Sequence, residues 1–153
     1  ELGYKIKIDT NGTLPEKLEE LISDKELRPD FIAMDIKTSP NKYSEFLVHP
    51  KSPYYGKNEH FEKTLNQSIQ IITSNYTCEN REWRTVLVPT LIKMEDIKNI
   101  AELLPKDASW QFAQFQNKDC INEDYNSLYP YTDKEVEELL SYAQTFIKGA
   151  VLR

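Results

Sequence analysis

The chain has 153 residues, of which 39% are hydrophobic and 29% charged, and its formal net charge is -6. This size fits one soluble domain with a single core, and the acidic balance argues against a general nucleic-acid binder. The sequence contains neither an apolar run of membrane-span length nor a signal peptide, so we expect a cytoplasmic protein.

The chain opens on a strand pattern that ends in a carboxylate. From Lys5 to Asp9 the residues alternate between charged and apolar, which predicts a β-strand. Asn11 and Gly12 then form a turn signal, because both residues tolerate positive φ. Thr13 and Glu16 have the spacing of a capping box, with Thr13 as the N-cap of the first helix. A strand therefore delivers Asp9 to its C-terminal tip, which is where parallel α/β sheets bind ligands.

The rest of the chain alternates between strand and helix patterns. In chain order we predict a helix at Leu14–Ser23, a strand at Phe31–Lys37, an irregular loop at 38–57, a helix at Asn58–Asn75, a strand at Trp83–Thr90, a helix at Met94–Leu104, a strand at Trp110–Gln116, a tyrosine-rich loop at 117–131, and a helix from a second capping box at Thr132 to Ile147. Ala150–Arg153 could add a short last strand.

This order predicts right-handed βαβ crossovers and a parallel sheet in one α/β domain that covers residues 1–153. Four strands are too few to close a barrel, which normally takes about eight. We therefore expect an open arc. The chain begins with Glu1 rather than Met and enters a strand at once, so we expect it to be part of a longer protein.

Two acidic residues dominate the predicted strand ends. Asp9 and Asp35 each come just before a turn on neighbouring strands, and like charges that are close together need a cation or a shared proton. Lys37 on the same face could supply a positive charge, Arg84 has the parity to project from the third strand, and a metal ion is a further option. An internal salt-bridge cluster explains the same pattern equally well.

Other candidate residues carry weaker signals. His49 and His60 are expected at the surface, and the loop tyrosines are expected to pack their own loops or to form a partner surface. Cys78 and Cys120 lie far apart without CxxC spacing and are expected to be buried or idle thiols rather than a disulfide or a metal pair. The sequence has no Ser-His-Asp order, P-loop or GxGxxG motif.

Four segments resemble the radical-SAM activating enzymes in the family's order. They are Lys-Ile-Asp-Thr-Asn-Gly (7–12), Ile-Ala-Met-Asp-Ile-Lys (32–37), Arg-Thr-Val-Leu-Val-Pro (84–89) and Gln-Phe-Ala-Gln-Phe (111–115). The sequence is most similar to the anaerobic ribonucleotide reductase activating proteins, with the pyruvate formate-lyase activating enzymes as relatives. The resemblance implies a six-stranded partial (β/α) barrel, of which these strands would be the third to sixth.

The resemblance also implies a set of site residues. Asp9 and Thr10, with Asp35 and the backbone carbonyl of Ala33, match positions that hold a monovalent cation, Na⁺ or K⁺, in the relatives. The expected contacts to the S-adenosylmethionine cosubstrate are Lys37, Arg84, the apolar Val86 and Gln116, although relatives often carry a basic residue or histidine at the last position.

The family reaction is reductive cleavage of S-adenosylmethionine by a [4Fe–4S] cluster to a 5′-deoxyadenosyl radical, which activates a glycyl-radical enzyme. The CxxxCxxC cluster loop and the Gly-Gly-Glu segment do not occur in this chain, so by itself it is expected to be inactive. The expected partners are the missing N-terminal part of the same protein, a glycyl-radical enzyme (anaerobic ribonucleotide reductase), and a second copy through an exposed sheet edge. A non-catalytic binding module with the same fold is the alternative.

Overall fold

The computed structural model describes residues 3–153 and shows strands alternating with helices. The strands are β1 (Lys7–Thr10), β2 (Phe31–Asp35), β3 (Arg81–Leu87), β4 (Trp110–Gln114) and β5 (Ala150–Leu152), and the helices are α1 (Pro15–Ser23), α2 (Tyr43–Leu47), α3 (Asn58–Asn75), α4 (Met94–Leu103) and α5 (Asp133–Phe146). The predicted Asn58–Asn75 helix is confirmed at both ends.

The five strands form one parallel sheet in the order β1-β2-β3-β4-β5. Each strand lies next to its neighbour along the chain, and every neighbouring pair is parallel. The sheet is not closed, so the predicted open arc and the α/β class are confirmed. The last strand, which the sequence left open, is present and pairs with β4 through Trp110 and Ala150.

The two faces of the sheet differ sharply in composition. The helix-facing side carries large buried residues that form the core, including Met34, Trp83, Trp110 and Phe112, each 0–1% exposed. The opposite, concave face carries Asp35, Arg84 and other polar residues of the alternate parity. The hydrophobic effect therefore fixes which face meets the helices and leaves the polar face open.

One of the two predicted capping boxes is wrong. Helix α1 begins after Leu14, and no side chain caps it. The Asn11 amide oxygen accepts hydrogen bonds from both the backbone N–H of Thr13 (3.0 Å) and its hydroxyl (2.8 Å), so the Thr13 hydroxyl is held in the turn. Pro15 at the start of the helix lacks an N–H and needs no cap of its own.

The second predicted capping box is confirmed at Thr132. Its hydroxyl accepts from the N–H of Glu135, and the Glu135 carboxylate accepts from the N–H of Thr132 at 2.8 Å. The Thr132 hydroxyl also donates to this carboxylate, at 2.7 Å. The two bonds that the carboxylate accepts, first from the backbone N–H and then from the hydroxyl of Thr132, lower the pKa of Glu135.

Several predicted boundaries shift. Strand β2 ends at Asp35, two residues before the prediction, and β3 begins at Arg81 rather than Trp83, because Arg81 and Glu82 are charged residues inside a strand. The region predicted as an irregular loop, 38–57, contains a 3₁₀ turn at Pro40–Lys42 followed by α2. Among residues 3–153 no helix combines the length and the apolar character needed to cross a membrane.

The two threonines offer a matched test of these helix starts. Thr132→Ala should lower the free energy of unfolding by about 1 kcal/mol, since it removes an N-cap. Thr13→Ala should cost less, because its hydroxyl gives no bond to α1. Urea denaturation monitored by circular dichroism measures both, and an equal or larger loss for Thr13→Ala would contradict the assignment of the caps.

The same capping box predicts a pH dependence. A carboxyl whose pKa is lowered by folding stabilises the protein above its unfolded pKa, and that contribution is lost as the pH falls through the lowered value. Because Glu135 is such a group, the stability difference between the unaltered protein and Thr132→Ala should shrink as the medium is acidified through the titration of Glu135. A difference that grows on acidification would contradict this.

Candidate functional site

The predicted acidic pair lies on the concave face and is joined by Arg84. The Nη1 of Arg84 donates to Oδ2 of Asp9 at 2.8 Å, and its Nε donates to Oδ1 of Asp35 at 2.7 Å. The two carboxylates therefore share one face of a parallel sheet, as their parity predicts. One guanidinium spans three adjacent strands, β1, β2 and β3.

The strand register explains why an arginine fits between the carboxylates. Asp9 is level with Ala33, whereas Asp35 is level with Arg84, so the two aspartates are diagonal neighbours rather than directly opposite. The planar fork of a guanidinium can reach two such acceptors at once. The salt-bridge cluster that the sequence left open is thus present, with Arg84 as the cation between the carboxylates.

The charge balance of this cluster stabilises the protonated form of Arg84. Burial of the guanidinium disfavours its charge, but the hydrogen bonds to Asp35 and Asp9 and their negative charges outweigh this and raise the pKa of Arg84. The exposed fraction of the side chain rises from 18% for Arg84 to 33% for Asp35 and 53% for Asp9. The ion pair of Arg84 with Asp35 is therefore less screened by solvent than its ion pair with Asp9.

Further charges extend the cluster along the same face. The Nζ of Lys37 lies 3.4 Å from Oδ2 of Asp35 and remains half exposed. Lys7 lies 2.6 Å from Glu82, one step toward the N-terminal side of the sheet, and its Nζ lies 5.0 Å from the ring centre of Phe31. The concave face thus carries both signs of charge, and Lys37 is the cation nearest the loop ends.

The remaining predicted site residues are placed as follows. Val86 is 45% exposed on the concave face, beside a shallow cavity of about 220 Å³ that Asp35 and Arg84 also line. Gln116 is exposed, lies two residues beyond the end of β4 and does not line this cavity. The cavity is lined instead by Gln111, Ala113 and Arg153. Strand parity could have identified the first two, but Arg153 is brought there only by β5.

The residues that we expected to bind a monovalent cation are not equally well oriented to do so. The carbonyl of Ala33 belongs to a fully buried residue level with Asp9. Thr10 is level with Met34, on the helix-facing side, and its hydroxyl accepts from the N–H of Gly12 at 3.1 Å. Within residues 3–153, no group of three or more His, Cys, Asp or Glu side chains is arranged to hold a metal ion. Both cysteines are free thiols.

A buried carboxylate that sequence reasoning missed holds the loop ends together. Asp96, 0% exposed at the start of α4, accepts hydrogen bonds from the Ser39 hydroxyl (2.6 Å), the Lys42 ammonium (2.9 Å) and the backbone N–H of Lys93 (2.9 Å). It therefore joins the loop after β2 to the loop after β3. An acidic residue in the first turn of a helix was the available signal, but it is common at exposed helix starts.

Two more buried contacts complete this clamp between loops. The Thr38 hydroxyl donates to the carbonyl of Leu91 at 2.6 Å, and the Tyr131 hydroxyl donates to the carbonyl of Ile92 at 2.7 Å. Burial, and then the charges of Glu135 and Asp96, raise the pKa of Tyr131, which keeps its hydroxyl a donor. The loops after β2, β3 and β4 are thus tied together at the C-terminal end of the sheet.

A larger cavity, of about 560 Å³, lies beside the concave face on the helix side of the same rim. It is lined by the turn after β1, by Lys37, and by residues of α2 and α3. His60, expected at the surface, is exposed but lines this cavity and stacks on Tyr54, with ring centres 4.8 Å apart. His49, also exposed, does not line it.

An open parallel sheet with charged residues at its C-terminal rim defines an α/β protein of the partial-barrel class. No family model matches the chain. Over 157 aligned residues, which include the whole chain, it is 34% identical to "Putative glycyl-radical enzyme activating enzyme MJ1227" of Methanocaldococcus jannaschii. This relative confirms the resemblance to glycyl-radical-enzyme activases that the motifs indicated. The chain spans about 60% of that relative's length.

Two other relatives match only in part. The 4-hydroxy-tetrahydrodipicolinate synthases of Clostridium novyi and Clostridium acetobutylicum are 33% and 31% identical over 96 residues. Those segments cover 59% of the chain and about a third of each synthase, 31% and 32%. The similarity to the activating enzyme, by contrast, runs along the whole chain.

The unequal exposure of the two aspartates predicts unequal effects on stability. Asp35→Asn should lower the free energy of unfolding by about 1 kcal/mol, because it weakens a charge-assisted hydrogen bond in a partly buried site. Asp9→Asn should cost less than about 0.5 kcal/mol, as for an exposed ion pair. Urea denaturation at low and high salt would test this, and a larger cost for Asp9→Asn would be the contrary result.

The clamp makes a second prediction. Asp96→Asn leaves the Lys42 ammonium without its anion in a largely buried site, and should cost about 2 kcal/mol. Glu102→Gln, which removes an exposed partner of Lys98 at 4.0 Å, is the control and should cost less than about 0.5 kcal/mol.

Hydrogen exchange distinguishes loss of the clamp from general unfolding. In Asp96→Asn the amides of residues 38–47 should exchange faster, while those of α5 change little. Uniformly faster exchange, or the same loss of stability in the control, would contradict a local clamp.

Proposed function

We propose that this chain is part of a radical-SAM activase of a glycyl-radical enzyme, with anaerobic ribonucleotide reductase as the enzyme that it activates. The observation that carries the proposal is the 34% identity along the whole chain to a protein named as an activating enzyme of this kind. The order of the four motifs and the charged rim on a parallel sheet support it.

The proposed reaction belongs to the longer protein. A [4Fe–4S] cluster elsewhere in that protein would supply the electron for reductive cleavage of S-adenosylmethionine, and the radical so formed would act on a glycine of the partner. The described residues of this chain do not fit such a cluster, since they offer only two separated cysteines and no cluster of metal ligands. In this proposal another part of the longer protein would supply the cluster ligands, and the isolated chain would not cleave S-adenosylmethionine.

The contribution of this chain is to orient the cosubstrate. Lys37, half exposed beside Asp35, would meet the methionine carboxylate, and Val86 would offer an apolar surface on the same face. Arg84 already satisfies Asp9 and Asp35, so its role is to fix these carboxylates and to offer its remaining N–H groups. Gln116 would need its loop to move before it could make contact.

A monovalent cation is also proposed, with reduced support for one ligand. Asp9 and Asp35 each keep one carboxylate oxygen that Arg84 does not bind, and the Ala33 carbonyl is near Asp9 in the register. Thr10 is the weakest of the four ligands, since its side chain lies on the helix-facing side. Na⁺ or K⁺, which tolerates mixed carbonyl and carboxylate oxygen ligands, suits this set.

Strand β1 lies at one edge of the sheet, and three apolar residues around it or in the next turn are exposed: Tyr4, Ile6 and Leu14. An unpaired strand edge beside apolar surface is a template for further pairing. We infer that an upstream strand of the longer protein pairs there, in a cytoplasmic enzyme. In its absence, two copies of the chain pair edge to edge.

The decisive experiment uses the longer protein that contains this chain. Its upstream coding sequence should encode CxxxCxxC, and the protein reconstituted with iron and sulfide without oxygen should form 5′-deoxyadenosine from S-adenosylmethionine. With anaerobic ribonucleotide reductase present, a glycyl radical should appear by electron paramagnetic resonance. An upstream region without the cysteine motif, or a reconstituted protein that forms no deoxyadenosine, would end the proposal.

Matched variants test the role of the rim. In the longer protein Asp35→Asn should raise the dissociation constant for S-adenosylmethionine by roughly ten-fold, equivalent to about 1.4 kcal/mol. Glu82→Gln changes another acidic residue of the same face, paired with Lys7, and should change the constant less than about two-fold. Calorimetric titration measures both, and equal effects would contradict a specific role of Asp35.

A further inference from the structure

The aromatic cleft is the cavity of about 560 Å³ on the helix side of the rim, and its walls carry Tyr43, Tyr54, His60 and Phe61. This volume lies within the range of ligand sites, and the C-terminal end of a parallel sheet is where such sites occur. The cleft shares only Lys37 with the charged face. It is therefore a separate cavity beside the proposed cosubstrate site.

The cleft is held open by hydrogen bonds behind its walls. The Asn58 side chain accepts from the N–H (3.0 Å) and hydroxyl (2.6 Å) of Ser44, which joins α2 to α3. The Ser68 hydroxyl donates to the carbonyl of Gly12 at 2.8 Å, which joins the turn after β1 to α3. Both walls are thus anchored to the same long helix, α3.

Gly12 contributes to the same rigidity. Its φ is +68°, and a Cβ at this position would overlap the methyl carbon of Met34. The turn that forms one wall therefore packs directly on the core. A side chain at position 12 would require the Met34 side chain or the turn to move.

The aromatic rings are arranged in two stacked pairs. Tyr43 and Phe61 have ring centres 5.3 Å apart with an angle of 28° between planes, and Tyr54 and His60 are 4.8 Å apart at 24°. Tyr54 nevertheless remains 48% exposed. Aromatic rings that are already ordered and still exposed offer a stacking surface at little entropic cost.

The charges of the cleft indicate what kind of group it takes. Its lysine and carboxylate side chains are one cation, Lys37, and one anion, Glu16, whose charges balance. A polyanion such as a nucleoside phosphate has no excess of positive charge to meet it. The lining favours an uncharged aromatic or large apolar group.

We propose that the aromatic cleft binds an aromatic side chain of the partner protein, from the polypeptide segment that lies next to the reacting glycine. This rests on the proposed function, in which a glycine of a second protein reaches the rim. Lys37 borders both the cleft and the charged face, so a partner segment that contacts Lys37 lies beside both. An apolar anchor in a preformed pocket is a usual source of affinity between proteins.

Two neighbouring tyrosines give a matched test in the longer protein. Tyr54 lines the cleft and stacks on His60, whereas Tyr55 is exposed to a similar extent, 44%, and does not line it. In measurements of partner activation against partner concentration, Tyr54→Ala should raise KM by at least roughly five-fold, the scale of one aromatic contact. Tyr55→Ala should change KM less than about two-fold, and Tyr54→Phe should restore it.

A direct binding measurement uses N-acetyl-phenylalanine amide as the probe, with N-acetyl-glycine amide as the control. Titration followed by ¹H–¹⁵N spectra should shift the amide signals of Asn11, Lys37 and His60 with the first compound only, and Tyr54→Ala should weaken the shifts. No shifts, equal loss in Tyr54→Ala and Tyr55→Ala, or the same shifts with adenosine in place of the phenylalanine probe would overturn the proposal.

The two proposals fail in distinguishable ways. If the unaltered protein forms 5′-deoxyadenosine but does not bind the phenylalanine probe, the aromatic cleft proposal alone is wrong. If the probe binds at the cleft and no deoxyadenosine forms, the proposed activase function is wrong while the cleft remains a site for aromatic groups.

Discussion

The geometry of the concave face depends on one guanidinium shared by two carboxylates. Arg84 reaches from β3 across β2 to β1 and satisfies Asp35 and Asp9 with separate N–H groups. Without it, two acidic side chains on adjacent strands would lie on the same face with no cation from the sheet itself. Because the fork is planar and its charge is permanent, it fixes the positions of both carboxylates without a bound ion. The strand tips are thus ordered by side chains of the sheet itself.

A second constraint acts at the loop ends above the sheet. Asp96 is fully buried and joins Ser39, Lys42 and the start of α4, while Tyr131 joins the loop after β4 to the loop after β3. Loops at the ends of parallel strands usually carry function and are usually mobile. Here buried polar contacts hold them, so the rim can present Lys37 and the aromatic cleft as a preformed surface.

Strand parity determined most of what the sequence could say about the site. Alternation alone placed Asp9, Asp35 and Arg84 on one face, and the structure confirms this arrangement. Parity does not report register, and the offset between Asp9 and Asp35 is what lets an arginine bridge them. The same limit explains Gln116, which was carried over from a resemblance but lies beyond the end of β4.

Local patterns determined the helices, the turn at Gly12, the cap at Thr132 and the parallel order of the strands, because each depends on residues close together in the chain. Thr13 shows where such patterns fail. Its spacing from Glu16 suits an N-cap, but its hydroxyl donates a hydrogen bond to the Asn11 side chain instead. The tertiary structure alone decided that Asp96 clamps a loop 54 residues away at Lys42, and that His60 lines the same cleft as Asn11 and Lys37. These contacts join residues distant in sequence, and only the packing of helices on the sheet brings them together.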